Sequence, residues 1–205
     1  MIKKQFILII LSISLISCIE VDSLIDIKED GTGEWNFQYR ISQEASFITT
    51  GLEFSGFNYF PNNEDELRKR TSEIPGLELL QVSVNETAEF IEYSARMSFL
   101  NTDNIESFFT NYAENSLIDI SSDETGIFQL IIDNPYSSEI DQDTLKLLSA
   151  LYSNKMINIV VAISGIVTNS STGILSEDPG KAAFEIKTMD VLTMVEPVSW
   201  IINYE

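Results

Sequence analysis

One cysteine (Cys18), no histidine, and 32 aspartates and glutamates are the side chains with which these 205 residues could do chemistry. The set excludes more than it admits. Without histidine there is no Ser-His-Asp arrangement. With a single cysteine there is no intrachain disulfide, no Cys/His zinc site and no Cys-His nucleophile pair. Carboxylate chemistry survives as paired-acid glycoside hydrolysis or calcium binding. An excess of acids is first of all a solvated surface that keeps a domain soluble. A formal net charge of −20 also disfavours nucleic acid as a partner, since phosphate contacts need clustered Lys and Arg.

The acidic motifs fare poorly as sites. Asp26-Ile27-Lys28-Glu29-Asp30-Gly31 starts like a calcium loop, but Lys28 stands at the third ligand position and Phe37 falls where a bidentate Glu is required, so it reads as a hairpin turn. Asp141-Gln142-Asp143 reads as a helix cap. Gly31 and Gly33 lack the following helix that a phosphate loop needs, and Ser164-Gly165 has no histidine partner. Asn85-Glu86-Thr87 and Asn169-Ser170-Ser171 match the glycosylation acceptor pattern and read as turn residues. Arg68, Lys69 and Arg70 form a basic cluster late in an expected helix, where they either complement its dipole or hold an anion or headgroup. No catalytic residue, metal ligand or cofactor is expected. The expected function is a non-catalytic binding or assembly module, and the alternative is a carboxylate-dependent envelope hydrolase.

Cys18 itself has a telling neighbourhood. Lys3 and Lys4 precede an apolar run from Phe6 to Ile16, with small Ser17 directly before the cysteine. That is the order of an export signal. Eleven helical residues reach about 17 Å, short of the roughly 30 Å a permanent span must cross. Leu15-Ile16-Ser17-Cys18 resembles the lipobox of bacterial lipoproteins, in which signal peptidase II cuts before a diacylated cysteine. The resemblance implies that residues 1–17 are a removed signal peptide, that Leu15 and Ser17 are recognition positions, and that Cys18 carries a diacylglyceryl anchor. Two acyl chains hold a protein on a membrane stably where one does so only marginally. Loss of Lys3 and Lys4 would make the mature chain two charges more negative. The expected location is the cell envelope. Ile19 stands where enterobacterial lipoproteins kept at the inner membrane carry aspartate, so an outer membrane is expected where the cell has one. The partners expected are the membrane and an unidentified envelope protein or lipid.

The rest of the chain, residues 18–205, must position that anchor. Ile19, Val21, Ile25 and Ile27 alternate with Glu20, Asp22, Asp26 and Lys28, giving a strand with one wet face that starts directly after Cys18. Glu29 to Gly33 turn the chain into Trp35, Phe37, Tyr39 and Ile41, a hairpin. Gln43 to Asn62 is irregular and carries Phe47, Phe54, Phe57, Tyr59 and Phe60, either packed on the core or forming a hydrophobic contact loop or lid. A helix follows from the Asn63 cap to Pro75-Gly76. Two further hairpins are expected, at 80–99 and 117–132, the first followed by a helix with Ile105, Phe108, Phe109 and Tyr112 on one face. A third helix capped by Asp141 or Asp143 carries Leu145, Leu148, Leu151 and Tyr152. Met156 to Val167 reads as a strand buried on both faces. Strands around Ala182 to Ile186 and Val198 to Tyr204 close the chain, and Val191 to Val195 fits neither pattern alone. The sum is one α+β domain, a mostly antiparallel sheet built from successive hairpins with about three helices packed on one face or end.

Asp30-Gly31-Thr32-Gly33, then Gly165-Ile166-Val167-Thr168-Asn169-Ser170, Gly180-Lys181-Ala182-Ala183-Phe184 and Trp200 resemble the pattern of LppM-type lipoprotein domains. That resemblance implies an envelope lipoprotein, with lipid binding in some relatives.

Overall fold

A computed structural model describes residues 19–43, 61, 63–110, 118–122, 126–134, 141–152 and 154–205. The first hairpin is β1 (Ile19–Ile27) and β2 (Gly33–Ser42). Helix α1 (Glu64–Ser72) leads to β3 (Leu77–Glu86) and β4 (Phe90–Phe99), and α2 (Asp103–Thr110) leads to β5 (Ile118–Ser122) and β6 (Ile127–Ile132). Helix α3 (Gln142–Tyr152) precedes β7 (Met156–Ile163), β8 (Val167–Ser170), β9 (Ile174–Leu175) and β10 (Lys181–Lys187). Helix α4 (Thr188–Thr193) and β11 (Val198–Tyr204) complete the described chain. The architecture is α+β and mostly antiparallel.

The strands divide between two sheets, one ordered β3-β4-β2-β1-β7-β10-β9 and one ordered β5-β6-β11-β8. In the larger sheet β1 is the central strand, antiparallel to β2 and parallel to β7. Period-two alternation decides its faces. Val21, Ile25, Trp35, Phe37, Tyr93, Met97, Ile159, Val161 and Phe184 point to one buried side, and the smaller sheet brings Ile120, Phe128, Leu130, Trp200 and Ile202 against it. The result is one continuous core, with α2 driving Ile105, Phe108 and Phe109 into it as their spacing predicts. Tyr112, the last residue of that stripe, lies outside the described residues.

Local chemistry explains the boundaries. Asn63 caps α1 by accepting from the Glu66 N–H at 2.8 Å, and Asp141 caps α3 by accepting from the Asp143 and Thr144 N–H groups at 2.9 and 2.8 Å. Gly33 sits opposite Phe99 in the β2–β4 ladder, and a Cβ there would lie 2.0 Å from the Asp26 carbonyl oxygen and 2.4 Å from the Phe99 ring. Only glycine fits that close approach.

Three details differ from the pattern reading. The apolar run from Met156 breaks at Ile163, where Ser164 and Gly165 turn the chain out of the large sheet, and Val167 already belongs to the small one. Within β7 only Ile159, Val161 and Ile163 are buried; the outward positions, Val160 and Ala162, are half-buried. The β-branched run signals a central strand but cannot say how fully its second face is covered. In β3 the register shifts between Leu79 and Gln81, so Leu80 is the extra residue of a bulge and is exposed. The ambiguous 191–195 stretch is the end of a fourth helix and the loop after it.

Candidate functional site

Charged side chains from several strands gather at the end of the large sheet where β1 and β7 begin and β2 and β10 finish. The register places Ile19 opposite Ile41 and Glu20 opposite Arg40. Glu20 is held from both sides: Lys155 Nζ, at the start of β7, lies 2.6 Å from Oε1, and Arg40 Nη1 lies 3.5 Å from Oε2. Arg40 in turn donates to Glu92 Oε2 at 2.6 Å and lies 4.6 Å from the centroid of the Phe90 ring. Its hydrogen bond to Glu92 raises the guanidinium pKa above an already high value. Four strands, β4, β2, β1 and β7 with its leading residue Lys155, are thus cross-linked by charge around the first two residues of the described chain.

Helix α4 closes the same end. The Thr188 N–H donates to the Lys155 carbonyl at 2.9 Å, which sets the helix beneath the start of β7 and the finish of β10. Val191 and Leu192 point into the core, and the buried Asn134 side chain donates to both of their carbonyls, at 3.2 and 3.1 Å. Above α4, between the two sheets, is an apolar cavity of about 40 Å³ bounded by Val21, Ile25, Phe109, Ile120, Leu130 and Val191 among others. Ser23 also lines it, and its Oγ accepts from Trp35 Nε1 at 2.9 Å. Drug-sized ligands occupy pockets of roughly 300–1,000 Å³, so this space takes no acyl chain unless the sheets part.

The residues singled out from sequence scatter. Leu15, Ser17 and Cys18 lie outside the described residues, as do Phe47, Phe54, Phe57, Tyr59 and Phe60. Of the aromatic segment, Pro61 is described: it is buried, and its carbonyl accepts from the Tyr39 hydroxyl. Burial pushes the Tyr39 phenol far above its usual range, with the neighbouring Tyr93 and Glu66 adding to the shift. The basic cluster does not form a patch. Arg68 pairs with Glu64, and Lys69 lies 3.9 Å from Glu73, both on the exposed side of α1. Arg70 turns inward, fully buried, to Glu66 Oε1 at 3.1 Å and to the Phe108 ring at 5.1 Å. The cluster therefore serves the helix and the core.

Among the acids of the described residues, Glu106 is shifted in the direction an acid catalyst needs. Burial first, then the nearby Asp119, raises the Glu106 carboxyl, while a hydrogen bond from the Ile120 N–H opposes the rise. Asp30, Asp141 and Asp178 are lowered by hydrogen bonds within their own turns, as turn and cap residues should be. Among the described residues no three His, Cys, Asp or Glu side chains are grouped to hold a metal ion, and no helix is long and apolar enough to cross a membrane.

The three segments around Ser170, Phe184 and Trp200 meet. Trp200 Nε1 donates to Ser170 Oγ at 2.8 Å, and the Phe184 ring stacks on the indole at 5.4 Å. A scan against protein-family models finds no match, and neither does a search of curated proteins. Among solved structures, the folded domain of Mycobacterium tuberculosis LppM, determined by NMR, aligns over 92% of this chain and 91% of its own, with a TM-score of 0.50 and 14% identity. The fold is similar to that LppM domain. At this identity the likeness is one of fold. A two-domain M1 zinc metallopeptidase aligns over 91% of this chain and 42% of its own with a TM-score of 0.24, too low to carry a relationship.

Sequence reading missed the Glu20 clamp and α4. Lys155 and Glu20 are 135 residues apart. The available signal was an unpaired charge at the start of each of two expected strands, which says nothing until those strands are known to be neighbours.

Proposed function

We propose that this protein is a non-catalytic lipoprotein of the bacterial envelope, anchored through a diacylglyceryl group on Cys18 after removal of residues 1–17, and acting as a binding or assembly module at the membrane surface. The observation that carries the reading is the junction of Leu15-Ile16-Ser17-Cys18 with a strand that starts at Ile19 in the middle of the large sheet. An anchor at that point holds the sheet without a flexible tether. The likeness of fold to the LppM domain is consistent with it. So is a side-chain repertoire without histidine and with no cysteine besides Cys18, which leaves few routes to catalysis. Outer-membrane placement follows from Ile19 where the cell has two membranes.

Radiolabelled palmitate is the direct test. The protein should incorporate label and partition with membranes, and Cys18→Ser should lose both and retain its full precursor size. A Cys18→Ser protein processed to the same mature size as the unsubstituted protein, and still in the membrane fraction, would refute the anchor.

A further inference from the structure

We infer that the loop from Val195 to Pro197 is a second membrane contact, resting in the headgroup layer beside the anchor; this deepens the lipid-anchored reading and depends on it. The bond path is short. The Cys18 and Ile19 Cα atoms are about 3.8 Å apart across their peptide bond, Ile19 is already paired with Ile41, and Glu20 is fixed by Lys155 and Arg40. No slack separates an acylated Cys18 from the sheet, so the whole end of the domain at which β1 begins lies against the bilayer.

Helix α4 and the loop after it form part of that end. Strand β10 finishes there, since Lys187 pairs with Met156, and β11 runs away from it, since its last residue, Tyr204, pairs with Val167 just beyond the finish of β7. Val191, Leu192 and Met194 face the core; Val195 turns away from it and is 93% exposed, the most exposed large apolar side chain among the described residues. Asn134 holds the preceding turn through the Val191 and Leu192 carbonyls, so the side chain is presented from a fixed base. A lone exposed valine is ordinary on a free surface. Its place on the end that a short anchor presses to the membrane is what gives it a partner. Leu100 and Ile166 are also exposed, but they sit at the opposite end, beyond the finishes of β4 and β7. Asp190 and Glu196 are exposed on the helix and loop around Val195, against one exposed cation, Lys187, before the helix; the excess is negative, so the surface it fits is zwitterionic and anionic lipid is repelled.

The test uses the full-length acylated protein in vesicles of phosphatidylcholine and phosphatidylethanolamine, with an environment-sensitive dye on Val195→Cys or, as control, on Leu100→Cys. Acylation leaves the introduced thiol as the reactive one. Interfacial residues sit about 5–10 Å into the headgroup boundary, so iodide quenching at 195 should be at least about three-fold weaker than at 100, with a blue-shifted emission. Adding phosphatidylglycerol should weaken the protection. Equal quenching at both positions on protein that floats with the vesicles overturns the loop contact and leaves the anchor standing. Protein that carries no acyl group and does not float overturns the anchor, and the loop contact with it.

Discussion

Each sheet holds one fully buried tryptophan, and the two are satisfied in the same way but do different work. Trp35 of β2 donates to Ser23 on β1, at 2.9 Å; Trp200 of β11 donates to Ser170 on β8, at 2.8 Å. Around Trp35 the partners are Phe37, Phe108 and Phe109, with ring centroids 5.0, 5.1 and 5.6 Å away, so it seals α2 onto the large sheet. Trp200 touches Phe128 of its own sheet and stacks on Phe184 of the other, so it joins sheet to sheet. Ser23 lines the apolar cavity, whereas Ser170 also donates to the Thr172 carbonyl. An indole N–H inside a core needs an acceptor, and the fold supplies one twice from an adjacent strand.

The comparison can be broken most severely at the rings. Trp200→Ala and Trp35→Ala should each cost about 3–5 kcal/mol in denaturant titrations. Only Trp200→Ala should separate the two sheets, seen as early hydrogen exchange in β6 and β11 while β1 and β2 stay protected. Gly33→Ala, which forces a methyl into the Asp26 carbonyl and the Phe99 ring, should come next, with a loss of at least about 2 kcal/mol because packed cores yield little to overpacking. The serines separate the two sites more finely. Ser23→Ala and Ser170→Ala each leave a buried indole N–H without its acceptor and should each cost about 1–3 kcal/mol, and only Ser170→Ala also loses the bond to the Thr172 carbonyl.

The smallest effect lies in α2, between the two tryptophans. The folded Glu106 carboxyl titrates above its usual value, so the folded state binds its proton more tightly than the unfolded chain does. Stability is therefore greatest below the unfolded pKa and falls as pH rises through the interval up to the folded one. Glu106→Gln should remove that fall and raise Tm at neutral pH by about 1 °C, with no gain at pH 3, measured by calorimetry.

What was legible in the sequence follows from range. Hairpins with local turns, the caps at Asn63 and Asp141, and the stripe of Ile105, Phe108 and Phe109 are set by residues within a few positions of one another, and they stand as expected. The class, α+β and mostly antiparallel, follows from them. The split into two sheets was not legible, because it depends on Ser164 and Gly165 breaking an apolar run that period alone reads as continuous. The short segments around Ser170, Phe184 and Trp200 looked unconnected in sequence, and they meet only because β8, β10 and β11 are brought together in space. At the end where β1 begins the same limit applies. Cys18 could be singled out from its flanks, but Glu20 meets Lys155 across 135 residues, and α4 is held by Lys155 and Asn134 from distant elements.

The parallel pairing of β1 with β7 fixes an order of events for making this protein. The first strand cannot take its place until the chain has been threaded as far as Ile163, because its partner rungs run from Ile157 to Ile163. Closing so long a loop is slow relative to forming a hairpin. The β1–β2 hairpin, complete from Ile19 to Ile27, can therefore stand before β7 arrives, and the parallel rungs to Ile157–Ile163 close the large sheet last.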